Sequence, residues 1–187
     1  MPAPSTIDTE RLTLRRPTAE DLPAIFRGYA SDPAVTRYLG WPVHGGLIDT
    51  RAFLELSDAE WRAWPAGPYL ITARDDGRIL GSTCLAFETP HRAETGYVLA
   101  RDAWGRGYAS EALAAMVQLA GELGVARLYA LCHCNHDASS HVLEKCDFRL
   151  EGTLRAHSEF PNLAPGEPQD VLCYARILIA APPAGIP

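Results

Sequence analysis

The stretch Trp104-Gly105-Arg106-Gly107-Tyr108-Ala109-Ser110-Glu111-Ala112 decides how this chain folds. An extended apolar segment, Thr95-Gly96-Tyr97-Val98-Leu99, precedes it, and residues 110–123 read as a helix. A strand, a tight glycine turn and a helix start together make an anion-binding backbone. Free amides at the helix N-terminus point at the ligand, the macrodipole favours negative charge, and glycine allows close approach. The segment therefore points to a ligand that carries phosphate. Three such ligands compete with a plain strand-to-helix turn. A dinucleotide fold places Gly-x-Gly-x-x-Gly after the first strand of a βαβ unit. Here Ser110 stands in the third glycine's place, and the motif lies past mid-chain. A Walker loop needs Gly-Lys-Ser/Thr, which does not occur. The third reading is a pyrophosphate loop for coenzyme A.

Composition narrows the setting. A chain of 187 residues suffices for one domain with a sizeable core. Hydrophobic residues at 47% and charged residues at 21% fit an ordinary globular protein. A net charge of −6 argues against a nucleic-acid partner and is compatible with a cationic amine. There is no apolar run of membrane-spanning length, and no basic-then-apolar leader at the start, so a cytoplasmic protein without a membrane partner is expected.

The five cysteines are Cys84, Cys132, Cys134, Cys146 and Cys173. Their odd number favours reduced thiols. The cluster Cys132-His133-Cys134-x-His136 invites a zinc reading, with His141 and Cys146 downstream. Zinc ligand pairs usually stand about two to four residues apart. Cys132 and Cys134 instead read as two small hydrophobes on one strand face, so no metal is expected.

Further out, Thr9 to Arg16 alternates as a first strand, while residues 1–8 are expected to fray. Thr18, with Asp21 three residues on, caps a helix running to about Tyr29. Pro33 opens a short helical turn. Phe53, Leu56, Trp61 and Trp64 mark a helix over 48–64 with its aromatics in the core. Strands at 69–73 and 79–87 flank the turn Asp75-Asp76-Gly77-Arg78. A strand over 92–100 leads into the glycine turn. Leu113, Met116, Val117, Ala120 and Leu123 give the following helix its buried face, ended near Gly124. Strands at 126–132, 148–153 and 171–179 surround a helix at 138–146, with a loop over 157–169. The expected architecture is one α/β domain over 8–179 with a mixed sheet, residues 1–7 and 180–187 being flexible tails.

These residues resemble a known family. The chain is similar to the GCN5-related N-acetyltransferases, in particular the ribosomal-protein N-acetyltransferases of the RimJ/RimL group. Thr9 to Arg15 resembles the opening strand, and Glu94 to Tyr97 with Trp104 to Ala112 resembles the acetyl-CoA motif. Ala138-Ser139, Val142 to Lys145 and Phe148 resemble the second cofactor motif, and Asp170 to Tyr174 the last strand. Three positions depart from the pattern. Trp104 replaces the superfamily's Gln or Arg, as in the RimJ/RimL group. His136 stands where the family has Asn, with Asn135 adjacent. Asp147 replaces a glycine, and aspartate tolerates left-handed φ better than most residues.

The resemblance implies a mixed, mostly antiparallel sheet flanked by helices. It implies acetyl-CoA as cosubstrate, with its pyrophosphate on the amides of Gly105, Arg106, Gly107, Tyr108, Ala109 and Ser110. The thioester would lie beside Tyr97, Val98 and Leu99, where a backbone N–H stabilises the oxyanion. His136 or Asn135 would contact the pantetheine arm. Glu94 falls where the family's base is placed, and Ser139 matches a serine that can donate toward the thiol sulfur. Their plain alternatives are a solvated strand carboxylate and a helix-start hydrogen bond. Tyr97 and Tyr108 are alternative proton donors, though both read first as packing residues.

The acceptor implied is a primary amine, foremost a protein or peptide N-terminus. An α-amine, with a pKa of about 8, deprotonates far more readily than lysine, near 10.4. A small amine acceptor, or a non-catalytic acyl-CoA binding module, is the alternative. Residues 29–47, with Tyr38, Trp41 and His44, are expected beside the acceptor by analogy, and a homodimer is possible.

Overall fold

Eight strands, β1 (Thr6–Asp8), β2 (Leu12–Arg15), β3 (Tyr69–Ala73), β4 (Ile79–Thr89), β5 (Arg92–Leu99), β6 (Arg127–His133), β7 (Arg149–Ser158) and β8 (Gln169–Ile177), form one sheet in the order β1-β2-β3-β4-β5-β6-β8-β7. The computed structural model describes residues 2–178. The expected tail at 180–187 lies outside them. Every neighbouring pair is antiparallel except β5 and β6. The mixed, mostly antiparallel sheet expected from the sequence is the one observed. A parallel neighbour requires a crossover. Helix α4 (Tyr108–Glu122) supplies it.

The N-terminus differs from expectation. Residues 9–11 form a turn rather than strand, and Thr6–Asp8 pairs antiparallel with Thr13–Arg15. The Ala3 N–H bonds Pro65 O at 2.8 Å and the Tyr69 hydroxyl bonds Pro4 O at 2.7 Å, so residues 3 and 4 are held rather than frayed. The expected helix from Thr18 to Tyr29 comes in three parts: a 3-10 turn (Ala19–Asp21), α1 (Leu22–Ile25) and a π turn (Phe26–Ala30). The Thr18 N–H donates to Asp21 Oδ2 at 2.8 Å, as the capping spacing requires. The wider turn follows because the Ser31 N–H and hydroxyl both return to Phe26 O, five residues back. Asp32 caps α2 (Pro33–Thr36) through the Ala34 N–H at 2.8 Å. Helix α3 (Leu47–Ala63) keeps Trp61 and Trp64 against the core, but Leu56 is exposed.

Helix α4 buries the face its spacing predicts. Leu113, Met116 and Ala120 are fully buried against Leu12, Leu14, Ile71 and Leu85 of the sheet. Burying one such Leu or Met side chain contributes roughly 1.5–3 kcal/mol. On the other face, Leu70, Val98 and Ala100 pack with Ile25 and Tyr29. The sheet is thus covered on both sides around β3, whose five residues are all buried.

Strand β7 runs to Ser158, past the expected end at 153, and shortens the following loop. Helix α5 (Asp137–Lys145) is capped by Cys146 and followed by Asp147, which has φ of 61°. The aspartate therefore adopts the left-handed conformation expected at that position. Among the described residues, no helix is long and apolar enough to cross a membrane.

Strands β5 and β6 pair only over Arg92–Glu94 and Arg127–Tyr129. Beyond Glu94 they part. The Ala100 N–H bonds Leu80 O at 2.7 Å, and alternation along the antiparallel β4–β5 ladder turns Val98 toward β4 as well. The N–H groups of Tyr97 and Leu99 therefore face the gap.

Candidate functional site

The gap between β5 and β6 opens into a cavity of about 490 Å³. Tyr97, Val98 and Leu99 line it from β5, Trp104, Gly105 and Ala109 from the glycine turn, and His136, Ala138, Ser139 and Val142 from the start of α5. Val35, Tyr38 and Leu39 close it from the α2 segment. The structure thus brings together Tyr97, Val98, Leu99, Gly105, Ala109, His136 and Ser139 from the residues singled out in the sequence. Arg106, Gly107, Tyr108 and Ser110 complete the turn but do not line the cavity.

The turn adopts the geometry glycine permits. Gly105 has φ of 71° and Gly107 φ of 79°, and a Cβ at Gly105 would meet only open space. Gly107 is the residue before α4, so the first N–H groups of that helix have no partner within it. The Trp104 indole N–H bonds Leu99 O at 2.8 Å, tying the turn to the end of β5.

Across the cavity, the Tyr97 hydroxyl lies 3.0 Å from Ser139 Oγ and 3.1 Å from the Ser139 carbonyl. Burial pushes the Tyr97 phenol well above its ordinary pKa, against the lowering effect of its Ser139 contact. This phenol stays neutral and is a hydrogen-bonding group. His136 stacks on Tyr38 with ring centroids 4.7 Å apart. Burial and the neighbouring His133 lower its pKa despite Asp137, which favours the neutral imidazole. Asn135 is exposed at the adjacent position, so His136 is the one that reaches the cavity.

Glu94 does not join this group. It lies where β5 still pairs β6, opposite Tyr129, and strand alternation puts its side chain on the face away from Tyr97. Burial and the nearby Glu88 raise its pKa, against the lowering effect of the Tyr129 hydroxyl, whose proton goes to Glu88. Val98 shares its face, and between them Gly96 leaves open space where a Cβ would stand. A bare strip of strand therefore connects Glu94 to the cavity wall.

All five cysteines are free thiols. Cys134 lies past the end of β6 rather than on a strand face with Cys132, and its Sγ contacts Asp170 O at 3.3 Å. Burial raises the Cys132 and Cys146 thiols, which keeps them protonated and poor nucleophiles. Among the described residues, no three His, Cys, Asp or Glu side chains converge to hold a metal ion.

The α2 lining falls within the 29–47 segment expected beside the acceptor by analogy, and no motif marks it. One contribution was not legible in the sequence. Arg11 contacts the glycine turn, although the sequence placed it only within the alternating first strand; its Nη1 donates to Arg106 O at 2.9 Å. Of the aromatic residues expected beside the acceptor, Tyr38 lines the cavity, whereas Trp41 and His44 pack on each other at 5.0 Å.

Comparison with known proteins shows the family and the fold. The family model for the acetyltransferase (GNAT) domain matches residues 11–149. An uncharacterized N-acetyltransferase of Bacillus subtilis (strain 168), YoaA, is 30% identical over 91% of this chain and 96% of its own length. Among solved structures, the microcin C7 self-immunity acetyltransferase MccE, in complex with acetyl-CoA and AMP, superposes with a TM-score of 0.83 at 21% identity, covering 94% of this chain and 97% of that one. RimL, the ribosomal L7/L12 alpha-N-protein acetyltransferase in complex with coenzyme A, superposes with a TM-score of 0.79 at 23% identity, covering 92% of this chain and 98% of that one.

Proposed function

Because the chain belongs to the GNAT acetyltransferase family and is an acetyl-CoA-dependent N-acetyltransferase, we propose that the split between β5 and β6 is where it acetylates the α-amine of a protein or peptide N-terminus. The observation that carries this reading is one cavity lined by three parts: the glycine turn, the exposed edge of β5 and the start of α5.

In this reading the pyrophosphate sits on the free amides at Gly105 to Ser110, where backbone N–H groups and the helix dipole favour an anion. The acetyl group lies beside Tyr97, Val98 and Leu99. The N–H groups of Tyr97 and Leu99 face the gap and suit the thioester oxygen as negative charge develops on it. The amine nitrogen attacks the carbonyl carbon, the C–S bond breaks, and the thiolate leaves. The amine must lose a proton and the thiolate must gain one. Ser139, held by Tyr97, donates toward the sulfur. Glu94 receives the amine proton along the strip that Gly96 leaves open, through water. His136 holds the pantetheine arm with a neutral imidazole.

The peptide acceptor draws support from the activity named for RimL, whose fold this chain shares. A small amine is the second reading, favoured by a cavity volume within the range of small-molecule sites. The five free thiols and the absence of a membrane-length helix among the described residues support a cytoplasmic setting. The test is release of free thiol from acetyl-CoA with two panels, peptides of varied first residue and small amines. Turnover with peptides is the expected result. Turnover confined to small amines overturns the peptide reading and leaves the site reading standing.

A further inference from the structure

The Arg11 guanidinium is shared between two partners about a hundred positions downstream. Its Nε and Nη2 face Glu111 Oε2, each at 2.7 Å, while Nη1 donates to the Arg106 carbonyl at 2.9 Å. The Arg11 backbone N–H and the Thr9 hydroxyl occupy the other Glu111 oxygen, at 2.7 and 2.6 Å. The guanidinium also lies 4.7 Å above the Tyr108 ring, and its Nη2 would stand 3.5 Å from a Cβ on Gly107. One side chain therefore touches Arg106, Tyr108 and Glu111, and passes beside Gly107.

Beyond the Trp104 indole bond to Leu99 O at its start, the turn that Arg11 touches has little to hold it. Gly105 and Gly107 both have positive φ, and Cβ atoms added there would meet nothing closer than Arg11. A turn with two glycines has many accessible backbone states, and a ligand that needs one of them binds more weakly in proportion to the others. Charge-assisted hydrogen bonds from a planar guanidinium are directional enough to select one.

From this geometry we infer that Arg11, set on Glu111, is a positioning residue that presets the 105–107 turn for the pyrophosphate of acetyl-CoA. The inference rests on the turn being the pyrophosphate site. It also gives the first turn of the chain a role in cofactor binding through the backbone, with no contact to the cofactor required. Lysine is a poor substitute, because a single ammonium cannot span the carboxylate and the Arg106 carbonyl in one plane.

The experiment uses the full chain with Arg11→Gln, Arg11→Lys and Glu111→Gln. Amide hydrogen exchange is followed without ligand, and acetyl-CoA affinity by calorimetry. Exchange at the Trp104 and Glu111 amides, which flank the turn and bond Arg101 O and Gly107 O at 3.2 and 3.1 Å, is expected to speed up in all three variants while the rest of the sheet keeps its protection. If the competent state of the turn falls to about a tenth of the population, the Kd for acetyl-CoA rises about tenfold. Arg11→Gln and Glu111→Gln together should cost little more than either alone. An Arg11→Gln protein with unchanged turn exchange and a Kd within about twofold of wild type overturns the inference. Faster exchange across all of β1–β3 also overturns it, since that is a general structural role. Wild-type protein that fails to bind acetyl-CoA overturns the reading of the turn itself, a result the exchange data distinguish.

Discussion

The hydroxyl of Tyr97 on β5 meets Ser139 of α5 twice, at 3.0 Å from Oγ and 3.1 Å from the carbonyl oxygen. A phenol has one proton to donate. When it goes to the Ser139 carbonyl, the phenol oxygen remains an acceptor and Ser139 Oγ keeps a proton it can turn into the cavity. The pair thus fixes the backbone that presents the serine and leaves its hydroxyl usable.

Ser139→Ala is expected to lower turnover by roughly tenfold, the worth of one hydrogen bond to developing charge, with acetyl-CoA affinity nearly unchanged. Tyr97→Phe should produce a similar loss, and the double variant little more than either, because the two act as one unit. Steady-state rates at saturating substrates, with calorimetric affinities, check this. Fully additive losses would show that the two hydroxyls act separately.

Glu94 carries a prediction in two parts. As a base it must be ionised, so Glu94→Gln should cost most just above the raised Glu94 pKa, where the amine is still protonated, and less as pH rises further and more amine is already neutral. Burial raises its folded-state pKa, so folding favours its protonated form. Its stabilising contribution is present below the unfolded carboxyl pKa and is lost as pH rises through the raised value. Glu94→Gln should therefore melt above wild type at about pH 7 and match it at about pH 4. Thermal melts at both pH values read the second part without any acceptor.

His136 has the opposite sign. Its folded pKa is lowered by burial and His133, so the neutral form is favoured by folding. Stability is present above the unfolded value of about 6.5 and is lost as pH falls through the lowered one. His136→Asn should lose less thermal stability than wild type between about pH 7 and pH 5. It should bind acetyl-CoA comparably, since asparagine also donates a hydrogen bond, whereas His136→Ala should bind more weakly. Equal affinity for both variants would remove His136 from the cofactor site.

Gly107→Val tests the turn directly. A β-branched residue at φ of 79° is strained, by about 1–3 kcal/mol, and the turn is expected to open rather than hold that value. Acetyl-CoA affinity should fall by at least tenfold, while circular dichroism shows a folded protein. A folded variant that binds as tightly as wild type would place the pyrophosphate elsewhere.

Local chemistry written in the sequence was enough for much of this protein. The positive φ of Gly105 and Gly107, the start of α4, its apolar face at Leu113, Met116 and Ala120, and the left-handed Asp147 all depend on neighbours within a few residues. Backbone sterics and helical periodicity act over that range, so the sequence determines them. Only the tertiary structure decided that β5 and β6 part after Glu94, because strand pairing depends on which chain segments the crossover brings together. That parting makes the cavity. It puts Ser139 on Tyr97, 42 residues away, and lets Tyr38 stack on His136. Arg11 reaching the Arg106 carbonyl across 95 residues has the same origin. A hydrogen bond is set by about 3 Å in space whatever the separation along the chain, so such contacts carry no periodic or propensity signal.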